Sequence, residues 1–284
     1  MIWKTPFIDQ PITKQKGTEK MEQKLFDSHC HLDDASFSAD LPEVMARGAR
    51  AGVKAVMTVG ITLETSEHAI ALAEKYSGVY ASIGIHPHDA AECSEKSLGR
   101  LKQLARHPKV RAWGETGLDF NRMFSPQQDQ EHWFHRQIEI ADELDLPLIF
   151  HERDSGGRFL DILKSHHRRS RRGVVHCFSG TVEEMRNYVD MGLHIGITGI
   201  LTNRQRGEQL REMVPEIPGD RLVVETDAPY LTPTPERNRF RRNEPAFVRS
   251  TFLKLAAVRG EEPAALAATI WNNTLQLFDI TDIS

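Results

Sequence analysis

The sequence predicts an α/β chain folded as a closed (β/α)8 barrel of the TIM-barrel class. Three observations predict it: short apolar runs rich in β-forming residues recur along the chain, stretches of helical spacing separate them, and the runs number eight. Strands alternating with helices require right-handed crossovers and a parallel sheet. A doubly wound open sheet is the alternative topology. A length of 284 residues suits one domain of the barrel kind.

In chain order the runs are "LFDSHCH", "VKAVMTVG", "VYASIGIH", "VRAWGETG", "LPLIFHE", "GVVHCFSG", "HIGITGI" and "LVVETDAP". Between them, residues 42–51, 63–76, 127–144 and 182–191 carry apolar side chains at helical spacing. Residues 22–284 are read as a single barrel domain. Residues 1–21 hold charges and two prolines but no continuous apolar core of the length a secretory signal needs, and are read as a flexible extension.

Hydrophobic residues make up 39% and charged residues 27%, which supports a full core. The net charge of −4 excludes a global basic field, so any contact with a polyanion must be local. Three cysteines at unpaired spacing argue against a disulfide framework and predict a reducing, cytoplasmic setting. No apolar run is long enough to span a bilayer.

Chemistry-bearing side chains fall at the C-terminal ends of these runs. His29 and His31 close the first, with Cys30 between them; alternation along a strand sends the two imidazoles to one side and the thiol to the other. His86, Glu115, His151, His176 and Asp227 follow on later runs, with Thr198 the weakest of the series. Each alone reads as a hydrogen-bonded rim residue. Together, in a barrel, they meet at one mouth, where active sites of this fold lie. Nitrogen and oxygen donors without thiolate suit divalent Zn, Mn, Co or Fe, and the carboxylates can take Mg.

Six donors exceed the needs of one tetrahedral ion, so a two-metal centre is expected. His29, His31, Glu115 and Asp227 would hold one ion, and Glu115, His151 and His176 the other, with Glu115 bridging. Hydrolysis by a metal-activated water follows as the reaction class, with Asp227 placed to accept the water's proton. Glu225 shares the parity of Asp227 and is read as core or as a support for the donors. Cys30 and Cys177, each next to a donor, are expected to face the helices, and Cys93 to lie in a polar loop or helix start.

The motifs "DSHCHLD", "SIGIHPHD", "GETGLDFNRMFSPQQDQ", "HERD", "HCFSG", "ITGILTN", "VVETDAPYLTP" and "RRNEP" resemble the TatD family of metal-dependent deoxyribonucleases, in family order from Leu25 to the terminal helix. The stretches "GLDFNRMFSP" and "RRNEPA" are most similar to the TatD branch. The resemblance implies a barrel of the metal-dependent hydrolase type, two divalent ions (Mg, Mn or Zn) and 3′-to-5′ exonucleolytic cleavage of DNA, with single strands as the expected substrate. It places the family's functional residues on His29, His31, His86, Glu115, His151, His176 and Asp227, with His86, Glu115 and Asp227 in catalysis. Members near this branch need not keep the His-x-His pair, which this chain has. The family's activity is associated with Mg, whereas four imidazoles suit softer ions.

For the phosphates, Arg242 and Asn243 of the "RRNEP" loop and Arg153 beside His151 are the expected contacts, with Arg237, Arg239 and Arg241 nearby. The cluster "HHRRSRR" precedes the sixth strand and falls on the opposite face. Phe120, Phe124 and Tyr230 could stack unpaired bases or pack the loops. The competing readings are an amidohydrolase acting on a small amide, lactone or phosphoester, and a scaffold that kept the barrel and lost catalysis. No lysine ends a strand, which counts against the first; no donor is missing, which counts against the second.

Overall fold

The computed structural model describes residues 23–166, 168 and 171–281. The expected N-terminal extension lies outside them, as does part of the basic cluster at 166–172. The strands are β1 (Leu25–Cys30), β2 (Val53–Val59), β3 (Val79–Ile83), β4 (Val110–Asp119), β5 (Leu148–Arg153), β6 (Gly173–Val175), β7 (His194–Ile197) and β8 (Leu222–Val224). They pair in parallel in sequence order, each beside the next. That order excludes a doubly wound sheet, which would reverse direction part-way.

Helices follow the strands: α1 (Leu41–Arg50), α2 (Leu63–Lys75), α3 (Glu95–Leu104), α4 (Gln127–Leu144), α5 (Arg158–Ser165), α6 (Val182–Asp190), α7 (Glu208–Met213), α8 (Val248–Arg259) and α9 (Pro263–Leu277). Local chemistry fixes several starts. Thr62 and Thr65 form a reciprocal cap on α2, and Thr181 with Glu184 does the same on α6. No described helix is long and apolar enough to cross a membrane.

Two apolar layers hold the barrel. The larger lies between the strands and the helices and includes Cys30, Trp113, Phe134 and Phe252. The smaller fills the barrel with Phe26, Met57, Tyr80, Ile149, Val174 and Val223, and Leu277, Phe278 and Ile280 close it at the N-terminal ends of the strands. The grouped histidine and carboxylate donors lie at the opposite mouth.

Closure between β8 and β1 rests on a short seam. A parallel bridge joins Cys30 to Ala228, the N–H of Asp227 donates to His29 O at 2.9 Å, and the N–H of His31 donates to Ala228 O at 2.7 Å. Asp27 adds a side-chain tie, accepting from the Thr226 N–H at 2.8 Å and its hydroxyl at 2.6 Å. Burial pushes the Asp27 carboxyl up to about 8.

The folded chain therefore binds this proton more tightly than the unfolded one does. The stability tied to it is full below the ordinary carboxylate range and is lost as pH rises through about 8. Asp27→Asn keeps an acceptor for the Thr226 N–H and has no proton to lose. Its denaturation midpoint, relative to the unsubstituted chain, should rise between roughly pH 5 and pH 8. A gap that stays constant across that range contradicts this assignment.

Candidate metal centre

Strand ends converge as the parallel topology requires. His29 is buried on β1 and His31 lies one residue beyond it; their Nε2 atoms stand 3.3 Å apart. His31 Nδ1 is 3.0 Å from Val59 O, so this nitrogen carries the proton and leaves Nε2 as the lone-pair atom. Glu115, inside β4, places Oε2 3.4 Å from His29 Nε2 and Oε1 2.7 Å from His151 Nδ1. Asp227 Oδ1 is 3.5 Å from His31 Nε2 and 3.8 Å from both His29 Nε2 and His176 Nε2.

These separations match a cation's coordination shell. With metal–donor bonds of about 2.1 Å, the donors of a tetrahedral ion are separated by about 3.4 Å. Two donor sets, His29–His31–Glu115 and Glu115–His151–His176, each gather within 4.8 Å and share Glu115. Around them stands a second layer. His176 stacks on His29 with ring centroids 3.6 Å apart and places Nδ1 3.0 Å from Glu225 Oε1. Glu225 is itself buried and accepts from the Cys177 N–H and the Ser28 hydroxyl, which holds its carboxylate beside the His176 ring.

His86 differs from the other imidazoles. Its Nδ1 accepts the N–H of His88 at 3.0 Å, so in the neutral ring the proton sits on Nε2. Burial lowers its pKa to about 4, keeping the ring neutral. Its Nε2–H faces His151 Nδ1 at 3.2 Å and Glu115 Oε1 at 3.4 Å, making it a hydrogen-bond donor to the site.

Charge follows the same arrangement. Burial opposes ionisation of Glu115, but the surrounding His86, His176, His29 and His151 outweigh it and hold the carboxyl well below the usual range. Burial alone would lower His31 and His151; Asp227 acting on the first, and Asp119 and Glu115 on the second, carry each up to about 9. The carboxylates of this mouth require compensating positive charge, supplied by protons or by metal ions.

A family model described as TatD related DNase matches residues 26–279. The chain belongs to this family. It is 43% identical over 256 residues, 89% of this chain and 97% of the relative, to the 3′-5′ ssDNA/RNA exonuclease TatD of Cronobacter sakazakii. It is 41% identical over 259 residues, 90% of this chain and 99% of the relative, to the protein of that name from Escherichia coli. Among solved structures, a TatD homologue of Escherichia coli aligns with a TM-score of 0.84 at 32% identity, covering 92% of this chain and all 100% of the other. A TatD family hydrolase of Entamoeba histolytica gives 0.83 at 26% identity, covering 91% of this chain and 99% of the other. Family membership makes the chain a nuclease of the hydrolase class that binds divalent metal.

Within this TatD barrel some expected residues are placed differently. The Arg242 guanidinium pairs with both carboxylate oxygens of Asp40 at 2.7 Å and lies 4.7 Å from the centre of the Phe37 ring. Asn243 is fully buried and donates to Thr226 O at 2.9 Å and Tyr230 O at 2.7 Å. Together with the Arg47–Glu244 pair, the "RRNEP" loop is a brace on β8. Arg153 is exposed and lines both cavities of the mouth, which have volumes of about 380 and 440 Å³.

Cys177 does not face the helices. β6 ends at Val175, and a left-handed φ of 48° at Cys177 turns its thiol toward the site, among the donor atoms of His176 and Asp227. Phe120 packs against the core. In the basic cluster, Arg168 and Arg171 pair with Asp142 and Asp145. Sequence reasoning missed Asp119, whose Oδ2 is 2.8 Å from His88 Nε2 and 3.2 Å from His151 Nε2. Its signal was present: Glu115, Gly117 and Asp119 share one parity along "GETGLD". Arg122 and Arg206, lining one cavity each, were also missed.

Because His31 and His151 must release protons to accept an ion, divalent-metal affinity should rise with pH toward about 9, with protons expelled on binding. Titration of metal-stripped protein with Mn at two pH values, in buffers of different ionisation enthalpy, checks this. Affinity unchanged across the neutral range and no proton release would contradict it.

Proposed function

We propose that this chain is a two-metal 3′-to-5′ exonuclease acting on single-stranded DNA, with RNA strands within reach of the same chemistry. The observation that carries the reading is the sharing of Glu115 by two donor sets. His29, His31, Glu115 and Asp227 would hold one ion, and Glu115, His151 and His176 the other. Ions bound there lower the pKa of water and neutralise charge on the phosphoryl group.

The chain's own groups complete the reaction. Asp227 accepts a proton from the water that attacks phosphorus as the P–O3′ bond breaks. The His86 Nε2–H is the neutral donor available to a phosphoryl oxygen. Arg153 offers its guanidinium to the phosphate at the edge of both cavities. The free thiols of Cys30, Cys93 and Cys177 agree with a reducing, cytoplasmic setting. Relatives that carry the name 3′-5′ ssDNA/RNA exonuclease support the polarity and the strand preference.

The test is hydrolysis of a 5′-labelled single-stranded oligonucleotide by metal-stripped protein with Mg, Mn, Co or Zn restored. Shortening from the 3′ end that requires an ion is expected, and Asp227→Asn should lower kcat by roughly 10²- to 10⁴-fold. No cleavage with any ion by folded, metal-loaded protein would sink the proposal.

A further inference from the structure

Most of the mouth is polar, yet two large aromatic side chains stand open in it. Phe124 is 65% and Tyr230 56% exposed. The other exposed large apolar side chains among the described residues are Met123, Phe240 and Leu253. Of these five, only Phe124 and Tyr230 line the 440 Å³ cavity that contains His31, His86 and Glu115. An aromatic ring left uncovered inside a concave polar site is informative in a way that a scattered surface leucine is not.

Both rings are held in place. The Tyr230 N–H donates to Asp227 O at 2.8 Å, and its ring meets His31 edge-on at 6.1 Å between centroids. Phe124 meets the His88 ring edge-on at 4.8 Å, and the adjacent Ser125 hydroxyl donates to His88 O at 2.7 Å. One ring follows β4 and the other β8, four strands apart in the ring of eight. They therefore approach the site from opposite sides.

We infer that Phe124 and Tyr230 are stacking platforms for unpaired nucleobases on either side of the phosphate being cleaved. This rests on the nuclease reading above and deepens it, naming what selects single strands. Every base has a π-face, so stacking on an aromatic ring is tolerant of sequence. Within a duplex those faces are covered by neighbouring bases. Arg122 and Arg153 line the same cavity and suit the flanking phosphates. The carboxylates lining this cavity, Glu115, Asp119 and Asp227, belong to the imidazole cluster, whereas the second cavity adds Glu152, Asp154 and Glu184 outside that cluster and has no exposed aromatic ring, a poorer path for a polyanion. The strand accordingly runs on the aromatic side.

The experiment compares a single-stranded oligonucleotide with a strand of the same length whose two 3′-terminal residues are abasic. The ratio of kcat/KM on the ordinary strand to that on the abasic strand is the readout. It should fall on the order of tenfold in Phe124→Ala and again in Tyr230→Ala, mainly through KM. Phe124→Trp, which keeps a π-face, should recover the ratio. Variants that lose activity equally on both strands, or a wild-type chain that cleaves both strands at one rate, overturn this inference alone. A wild-type chain that cleaves neither overturns the nuclease reading as well.

Discussion

The mouth of the barrel is organised around the carboxylate of Glu115. It is 2% exposed, so its charge persists only because His29, His86, His151 and His176 surround it. Removing a buried carboxylate from water costs several kcal/mol unless it is paired, and this pairing draws side chains from five strand ends to one point. The second layer follows: Val59 O orients His31, Glu225 stands against His176, and Asp119 stands against His151. Those supports decide which nitrogens face the cavity, and hence what the site can bind.

A chain of net charge −4 that handles a polyanion must concentrate cations where the strand lies. Many arginines here are committed elsewhere. Arg47 and Arg242 brace the loop after β8, and Arg171 is tied to Asp142 on the far face. Arg122, Arg153 and Arg206 line the mouth itself. Few guanidiniums therefore stand at the mouth, and divalent ions bound among its donors would add to the positive field there.

How much of this was legible in the sequence follows from how local each cause is. Strand and helix periodicity fixed the barrel, and the placement of His29, His31, Glu115, His151, His176 and Asp227 at strand ends brought the donors together, because both depend on short-range alternation. Asp119 was legible by the same parity and passed over. The pairings of Arg242 and Asn243 were not legible, because their partners, Asp40 and the carbonyls of Thr226 and Tyr230, become neighbours only through the fold. Cys177 was misplaced because β6 stops at Val175 and the next turn is left-handed, which alternation does not encode. The donor role of His86 depends on one backbone N–H, that of His88, and no sequence pattern reports it.

Calorimetric titration of the metal-stripped chain with a divalent ion, beside Glu115→Gln, tests the shared carboxylate most directly. Two ions per chain in the unsubstituted protein, with both affinities weakened together by the single substitution, is the predicted result. One ion per chain, or two whose affinities Glu115→Gln leaves unaltered, would contradict a centre built on Glu115.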